Sequence, residues 1–261
     1  MNPLKVAAIQ TGPKLPIGKL LEDSVEQLVS QAVGGGAEFL CFPEHWLGEE
    51  TPDSISNMIE LMKNLASRFG VTIITGGFYE ELPDGTYVTA HVVDPQGRLV
   101  GRQKKIHLFG DEKAKAKPGS SYMIFDVQNV KFGVMICYDA VFPEVARVFA
   151  LQGAEVVFVP SRILVAGTHP WHLYLLTRCL ENRLPLVASN LVWPPRYLGR
   201  SIVLDLRQDA ESKVVYPNVL KIGGESFEAT VAEVDLEIAK IHRALRLSER
   251  RPSVYSLLSE C

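Results

Sequence analysis

The sequence predicts a mixed α/β fold with two sheet halves, each covered by helices on its outer side. Three observations point there. Short apolar runs alternate with amphipathic stretches along most of the chain. Two pairs of these runs are joined by tight turn segments, as β-hairpins are, so the sheets are mixed and not purely parallel. Residues 36–44 read GAEFLCFPE and residues 153–161 read GAEVVFVPS, so one helix–strand module occurs twice.

The elements follow in order. Lys5–Gln10 reads as a strand. Lys19–Val33 reads as a helix, with Leu21, Val25, Leu28, Val29 and Ala32 on one face and three glycines stopping it. Phe39–Phe42 is a strand ending at Pro43 and Glu44, Asp53–Phe69 a helix stopped by Gly70, and Val71–Gly76 a strand. Tyr87–Val93 and Arg98–Lys104 flank Asp94-Pro95-Gln96-Gly97, a turn tetrapeptide. Tyr122–Val127 and Lys131–Ile136 form a second hairpin. Pro143–Gln152 is a helix, with Pro143 suited to its first turn and Gly153 to its end. Glu155–Val159 is a strand, Pro170–Arg183 a helix and Leu186–Ser189 a strand. Further strands are expected near Ser201–Asp205, Lys213–Tyr216 and Phe227–Val234, then a helix near Asp235–Leu245.

At 261 residues, 47% hydrophobic and 22% charged, the chain is globular and large enough for a sizeable core. The 27 Lys and Arg interleave with 30 Asp and Glu, leaving no basic stripe for nucleic acid. MNPLKVAAIQ is strand-like and not a signal peptide, and no apolar run approaches the ~20 residues of a membrane span. Cys41, Cys137, Cys179 and Cys261 are scattered without a CxxC pair, which signals neither zinc nor a disulfide framework and points to a reducing cytosol.

Reactive groups in α/β folds gather just past strand C-termini. Glu44, Lys105 and Cys137 each follow a predicted strand. Cys137 reads as a nucleophile or as a small buried hydrophobe. Its base would be a histidine, with His169 and His172 near a helix start as candidates, or an enclosed Glu44. Lys105 reads as an oxyanion-stabilising ammonium or as a solvated charge beside Arg102 and Lys104. Cys41 is mid-strand, Cys179 mid-helix, and Cys261 the last residue.

The three residues share one order and one local context. FLCFPE (39–44), GRQKKIHLF (101–109) and GVMICYDAVFPE (133–144) resemble the three catalytic motifs of the nitrilase superfamily, the carbon–nitrogen hydrolases. EKAKAKPG (112–119) resembles the segment that carries the family's second glutamate, and HPWHLYLLTRCLENRLPLVASN (169–190) its helix–strand segment ending in Asn. The resemblance runs from residue 5 to about 205, and more loosely through RPSVY near the C-terminus.

That resemblance implies a four-layer αββα sandwich of two mixed sheets with outer helices, as a single domain over residues 1–261. It implies a homodimer or larger homo-oligomer, with the tail from about residue 246 as a contact. It assigns Glu44 as general base, Lys105 as oxyanion partner, Cys137 as nucleophile, Glu112 as auxiliary glutamate and the Tyr138 backbone N–H as second oxyanion donor. No metal or organic cofactor is required, and the partner is a small amide or nitrile. Cys137-Tyr138-Asp139 resembles the amidase, carbamoylase and Nit-like branches; nitrile-acting members typically read Cys-Trp-Glu. Val141 stands where many Nit-like members carry Arg. It signals either a neutral amide or a packing change. Glu144 is expected to be structural. Trp46, His107, Phe109, Phe142, Arg162 and Trp171 lie near the motifs as candidate pocket walls, and Gly110-Asp111 and Arg162–Thr168 as specificity loops. Other classes stay open: an acyltransferase of the same fold, a non-catalytic binding protein, and a Cys–His hydrolase using His169 or His172.

Overall fold

The structure is a computed structural model that describes residues 3–13 and 21–256. Lys19, which opens the predicted first helix, and Cys261 lie outside the described residues. The first half runs β1 (Leu4–Gln10), α1 (Leu21–Gly34), β2 (Phe39–Cys41), α2 (Pro52–Phe69), β3 (Thr72–Leu82), β4 (Gly85–Val93), β5 (Leu99–Lys104) and the short α3 (Glu112–Lys115). The second runs β6 (Phe125–Val127), β7 (Val130–Val134), α4 (Pro143–Leu151), β8 (Val156–Ser161), α5 (Thr168–Asn182), β9 (Leu186–Asn190), the small hairpin β10 (Val192–Trp193) and β11 (Tyr197–Leu198), β12 (Ile202–Gln208), β13 (Val215–Ile222), β14 (Glu228–Val234) and α6 (Leu236–Ser248).

Two six-stranded sheets result, in the orders β14-β1-β2-β3-β4-β5 and β13-β12-β9-β8-β7-β6. Each has a parallel trio at its centre, β1-β2-β3 or β7-β8-β9, flanked by antiparallel strands. Three apolar cores separate four layers. One joins the facing sheets, one seats α1 and α2 on the first sheet, and one seats α4 and α5 on the second. The chain is therefore an αββα sandwich. Among the described residues no helix is long and apolar enough to cross a membrane.

The repeated module explains why the central strands read as unbroken apolar runs: they are buried on both faces. In GAEFLCFPE, Phe39 and Cys41 face the other sheet while Leu40 and Phe42 face the helices. In GAEVVFVPS, Val156 and Phe158 face inward while Val157 and Val159 face the helices. The last positions of the two modules meet, since the Glu44 N–H donates to the Ser161 carbonyl at 3.2 Å.

Three strand boundaries and one hairpin differ most from expectation. The strand expected to reach Ile136 stops at Val134, because the Ile136 N–H is taken at 3.2 Å by the Asp139 carboxylate and the chain turns into a 3₁₀ segment, Cys137–Val141. The strand expected to end at Gly76 continues to Leu82 past a bulge between Ile74 and Gly77. The strand expected at Lys213–Tyr216 runs instead over Val215–Ile222. Pro217 is tolerated there because β13 is an edge strand. The β10–β11 hairpin, too short to show a period, had no sequence signal.

Phe39, Phe132 and Phe158 hold the sheets together, with Phe132 edge-on to Phe39 at 5.7 Å and to Phe158 at 5.3 Å. Such pairs add to the burial of large aromatic area. Replacing Phe132 by Ala leaves a cavity between the sheets. The expected cost is roughly 3–5 kcal/mol, measurable by urea denaturation; a loss below ~1 kcal/mol would mean that the sheets do not depend on this cluster.

Candidate active site

Three strand ends converge at one end of the sandwich. Glu44 follows β2, and its backbone is fixed from two sides. Its N–H bonds Ser161, while the β3 bulge passes beneath Pro43. Gly76 has φ +92, and a Cβ there would fall 2.0 Å from the Pro43 carbonyl oxygen, so only glycine lets the strand pass this close. Lys105 follows β5, with its N–H on the Val88 carbonyl and its own carbonyl accepting from the Gly119 N–H. Cys137 begins the 3₁₀ turn at φ 48, a left-handed backbone that is rare without glycine and is found where a site holds its residues under strain.

The Lys105 ammonium is fully buried and lies 2.8 Å from both Glu44 Oε1 and Glu112 Oε1. Glu112 opens α3, and its Oε2 accepts the Phe109 N–H at 2.8 Å. Burial works against the lysine's charge, but the carboxylates of Glu44 and Glu112 outweigh it and hold the pKa above the ordinary lysine range. Burial likewise opposes ionisation of Glu112. The nearby His45 ring, the Lys105 ammonium and the Phe109 N–H reverse this and hold Glu112 below the usual carboxylate range. Burial pushes the Cys137 thiol well up, and the neighbouring Glu44 charge pushes it further; Lys105 and the Arg162 backbone N–H pull only partly the other way. The resting site therefore favours a neutral thiol near the Glu44 carboxylate.

These groups line a cavity of about 660 Å3, which also exposes Arg162, Arg196 and Lys115. Gly110, Asp111 and Leu164, from the two expected specificity loops, line it as well. Glu44, His45 and Glu112 bring ligand-type atoms within 4.8 Å of one another, a set that would suit a cation. The Lys105 ammonium already occupies that role between the two carboxylates.

Of the expected pocket walls, Phe109 and Arg162 line the cavity, and the Arg162 Nε donates to the Tyr197 hydroxyl at 3.1 Å. Trp46 does not. It is sealed in the core under α2 beside Phe42 and Phe78, with its Nε1–H on the Thr75 carbonyl at 2.9 Å. Trp171 also fails as a wall, since it is buried in the core beneath α5. Phe142 and His107 form a layer behind the site, stacked at 3.7 Å, with Phe142 edge-on to Tyr138. His169 and His172 lie off the cavity; the His172 Nε2 is 2.9 Å from the Arg200 carbonyl. Glu144 is exposed in the first turn of α4. Cys41 and Cys179 are core residues, and burial pushes the Cys41 thiol up to about 12.

Three residues at the site escaped the sequence reading. Asp139 is buried and accepts the N–H of His107 at 2.8 Å on one oxygen and of Ile136 at 3.2 Å on the other, so it ties the lysine segment to the thiol's turn. His45 and Glu50 pair at 2.7 Å on the cavity wall. Their only signal was adjacency to Glu44 in FPEHWLGEE.

The sequence profile of the carbon-nitrogen hydrolases matches residues 5–213. A probable nitrilase of Schizosaccharomyces pombe is 30% identical over 273 residues, covering 97% of each chain. An omega-amidase of Saccharomyces cerevisiae is 33% identical over 224 residues, 78% of this chain and 74% of that one. Among solved structures, a carbon-nitrogen hydrolase from Helicobacter pylori superposes with a TM-score of 0.81 at 22% identity, over 98% of both chains. An amidase from Nesterenkonia sp. superposes with 0.80 at 20% identity, over 98% and 97%. At these identities the superpositions speak for the fold.

Replacing Asp139 by Ala leaves the Ile136 and His107 N–H groups without their acceptor. The expected loss is roughly 2–4 kcal/mol of stability, read from urea melts. An unchanged melt would show that the turn holds itself without the carboxylate.

Proposed function

The chain belongs to the carbon-nitrogen hydrolase family, and from that premise we propose that it hydrolyses the C–N bond of a small non-peptide amide, without a cofactor, through a thioester on Cys137. The observation that carries this reading is the Lys105 ammonium held at 2.8 Å by both Glu44 and Glu112, at the floor of a cavity where Glu44 also meets the thiol. Because the thiol is held neutral, it needs a base at the moment of attack. Glu44 takes the Sγ proton as the S–C bond forms. The carbonyl oxygen becomes an oxyanion against Lys105 and the Tyr138 N–H. The adduct collapses, the C–N bond breaks, and the leaving nitrogen takes the proton from Glu44 and departs as ammonia. Glu44 then takes a proton from water, the resulting hydroxide attacks the thioester, and collapse releases the carboxylic acid. The thiolate recovers its proton from Glu44.

Val141 does not line the cavity; its carbonyl accepts the Arg178 Nη2 at 2.7 Å. It therefore gives no reason to prefer an uncharged substrate. Arg162, Arg196 and Lys115 do line the cavity, and they favour an amide with an acidic group at its far end. Exposed Leu173 and Tyr174 on α5 and Ile241 and Leu245 on α6 support the homo-oligomer that the resemblance implies.

The test is ammonia release from aliphatic and aromatic amides, ω-amides of dicarboxylic acids, N-carbamoyl compounds and nitriles. The expected outcome is turnover of an amide that disappears in Cys137→Ala and falls at least about 1,000-fold in Glu44→Gln. Release that survives Cys137→Ala contradicts the mechanism. Loss on substituting His172 but not Glu44 would reinstate the Cys–His alternative. A hydroxamate formed faster than the acid when hydroxylamine is added would move the reading toward acyl transfer.

A further inference from the structure

His45 is buried on the cavity wall, and each of its ring nitrogens faces a carboxylate. Nδ1 is 2.7 Å from Glu50 Oε1, and Nε2 is 3.5 Å from Glu112 Oε1. A neutral imidazole has one N–H and one lone pair, so one of these contacts would set a lone pair against an anion. Only the imidazolium serves both. The arrangement is built. Glu50 is anchored through its other oxygen by the Tyr79 N–H at 3.0 Å, and the Tyr79 ring lies against the imidazole at 4.9 Å. The His45 backbone is at φ 53, in the left-handed region, and is held there by its N–H on the Gly77 carbonyl at 2.9 Å. A strained non-glycine residue beside the reacting groups is the kind of outlier from which a functional role is inferred.

We propose that His45 is a second fixed cation of the site, a positioning residue that bridges Glu50 to Glu112 and leaves the charge of Lys105 free for the oxyanion. This rests on the amide-hydrolase reading above. Lys105 alone faces two carboxylates, so it enters the reaction over-neutralised. With His45 charged, the group of Glu44, Glu50, Glu112, Lys105 and His45 carries one net negative charge before attack, where a neutral imidazole would leave two. It becomes neutral when Glu44 takes the thiol proton, as the oxyanion forms. Glu50 answers His45 at the opposite ring nitrogen.

Glu112, Glu50 and Glu44 act on His45, the Tyr79 ring lies against it, and Lys105 and Cys137 line the same cavity. Burial disfavours the imidazolium, but the Glu112 carboxylate at 3.5 Å, the hydrogen bond to Glu50 at 2.7 Å and the field of Glu44 outweigh it and push the pKa up to about 9. Burial and the charges of Glu112 and Glu50 push the Tyr79 hydroxyl up to about 12, out of that range. The active form is the protonated one, so turnover is lost as pH rises through about 9.

The experiment follows the histidine resonances of the 13C-labelled full chain by NMR from pH 5 to 11, with His45 assigned from His45→Gln. It measures kcat and KM for the best amide over the same range for the wild type, His45→Gln and Glu50→Gln. The expected result is a His45 resonance titrating near 9 and a kcat that falls across the same interval. His45→Gln should lower kcat roughly 10- to 100-fold, less than removing a direct oxyanion donor, with little change in KM, and should abolish that limb. Glu50→Gln keeps the imidazole and should move resonance and limb together toward 6.5, the ordinary histidine value. A His45 resonance titrating at or below 6.5 overturns the inference, as does a His45→Gln enzyme with wild-type kcat and an unchanged limb. If His45→Gln does not fold, the joint shift in Glu50→Gln decides, and its absence counts against the inference. If the wild type releases no ammonia from any amide, the function proposed above fails and the catalytic role of His45 fails with it. The resonance still decides its charge.

Discussion

The buried ammonium of Lys105 is the contact on which the rest of the site depends. Taking a lysine charge out of water costs several kcal/mol unless close partners restore the lost hydration. Glu44 and Glu112 restore it at 2.8 Å each. The three residues come from the end of β2, the end of β5 and the start of α3, so one ion cluster fixes the relative positions of three chain segments. The catalytic reading uses the same property. A cluster that must stay charged to stay folded gives a pre-set electrostatic environment and needs no reorganisation when charge develops on a substrate.

The sandwich sets the thiol beside this cluster by bringing strand ends from both sheets to one place. Glu44 belongs to the first sheet and Cys137 to the second, and the link between the sheets at this point is backbone to backbone, from Glu44 to Ser161. Gly76 and the β3 bulge let β3 pass close to Pro43 within the first sheet, and the Asp139 carboxylate stops β7 early so that the thiol sits on a turn and not in the ladder. A thiol at the seam between strand and helix is thereby placed at the cavity, while the apolar run before it stays in the core.

Much of the architecture was legible because the central strands are buried on both faces and write themselves as unbroken apolar runs. The GAEFLCFPE and GAEVVFVPS echo reported equivalent strands in two facing sheets, down to which residues face inward. Glu44, Lys105, Cys137 and Glu112 were legible only through the order of their motifs, since each alone has a common structural explanation. What failed to show was what depends on side-chain direction. Trp46 and Trp171 lie next to the motifs in sequence yet point into helix-covered cores. His45 and Glu50 act as a pair, and no spacing rule announces a pair whose contact arises from a left-handed turn. β13 extends past the expected Lys213–Tyr216 because an edge strand tolerates Pro217, and edge position is not written in the local sequence.

The central claim is that Cys137, and no other thiol, carries the acyl group between two half-reactions run by Glu44. The most direct measurement is peptide mass mapping of the protein quenched in acid during turnover of an amide. The expected result is an acyl mass on the peptide containing Cys137, cleaved by neutral hydroxylamine and absent from the peptides of Cys41, Cys179 and Cys261. An acyl group on another residue, or turnover with no acylated peptide at all, would contradict it.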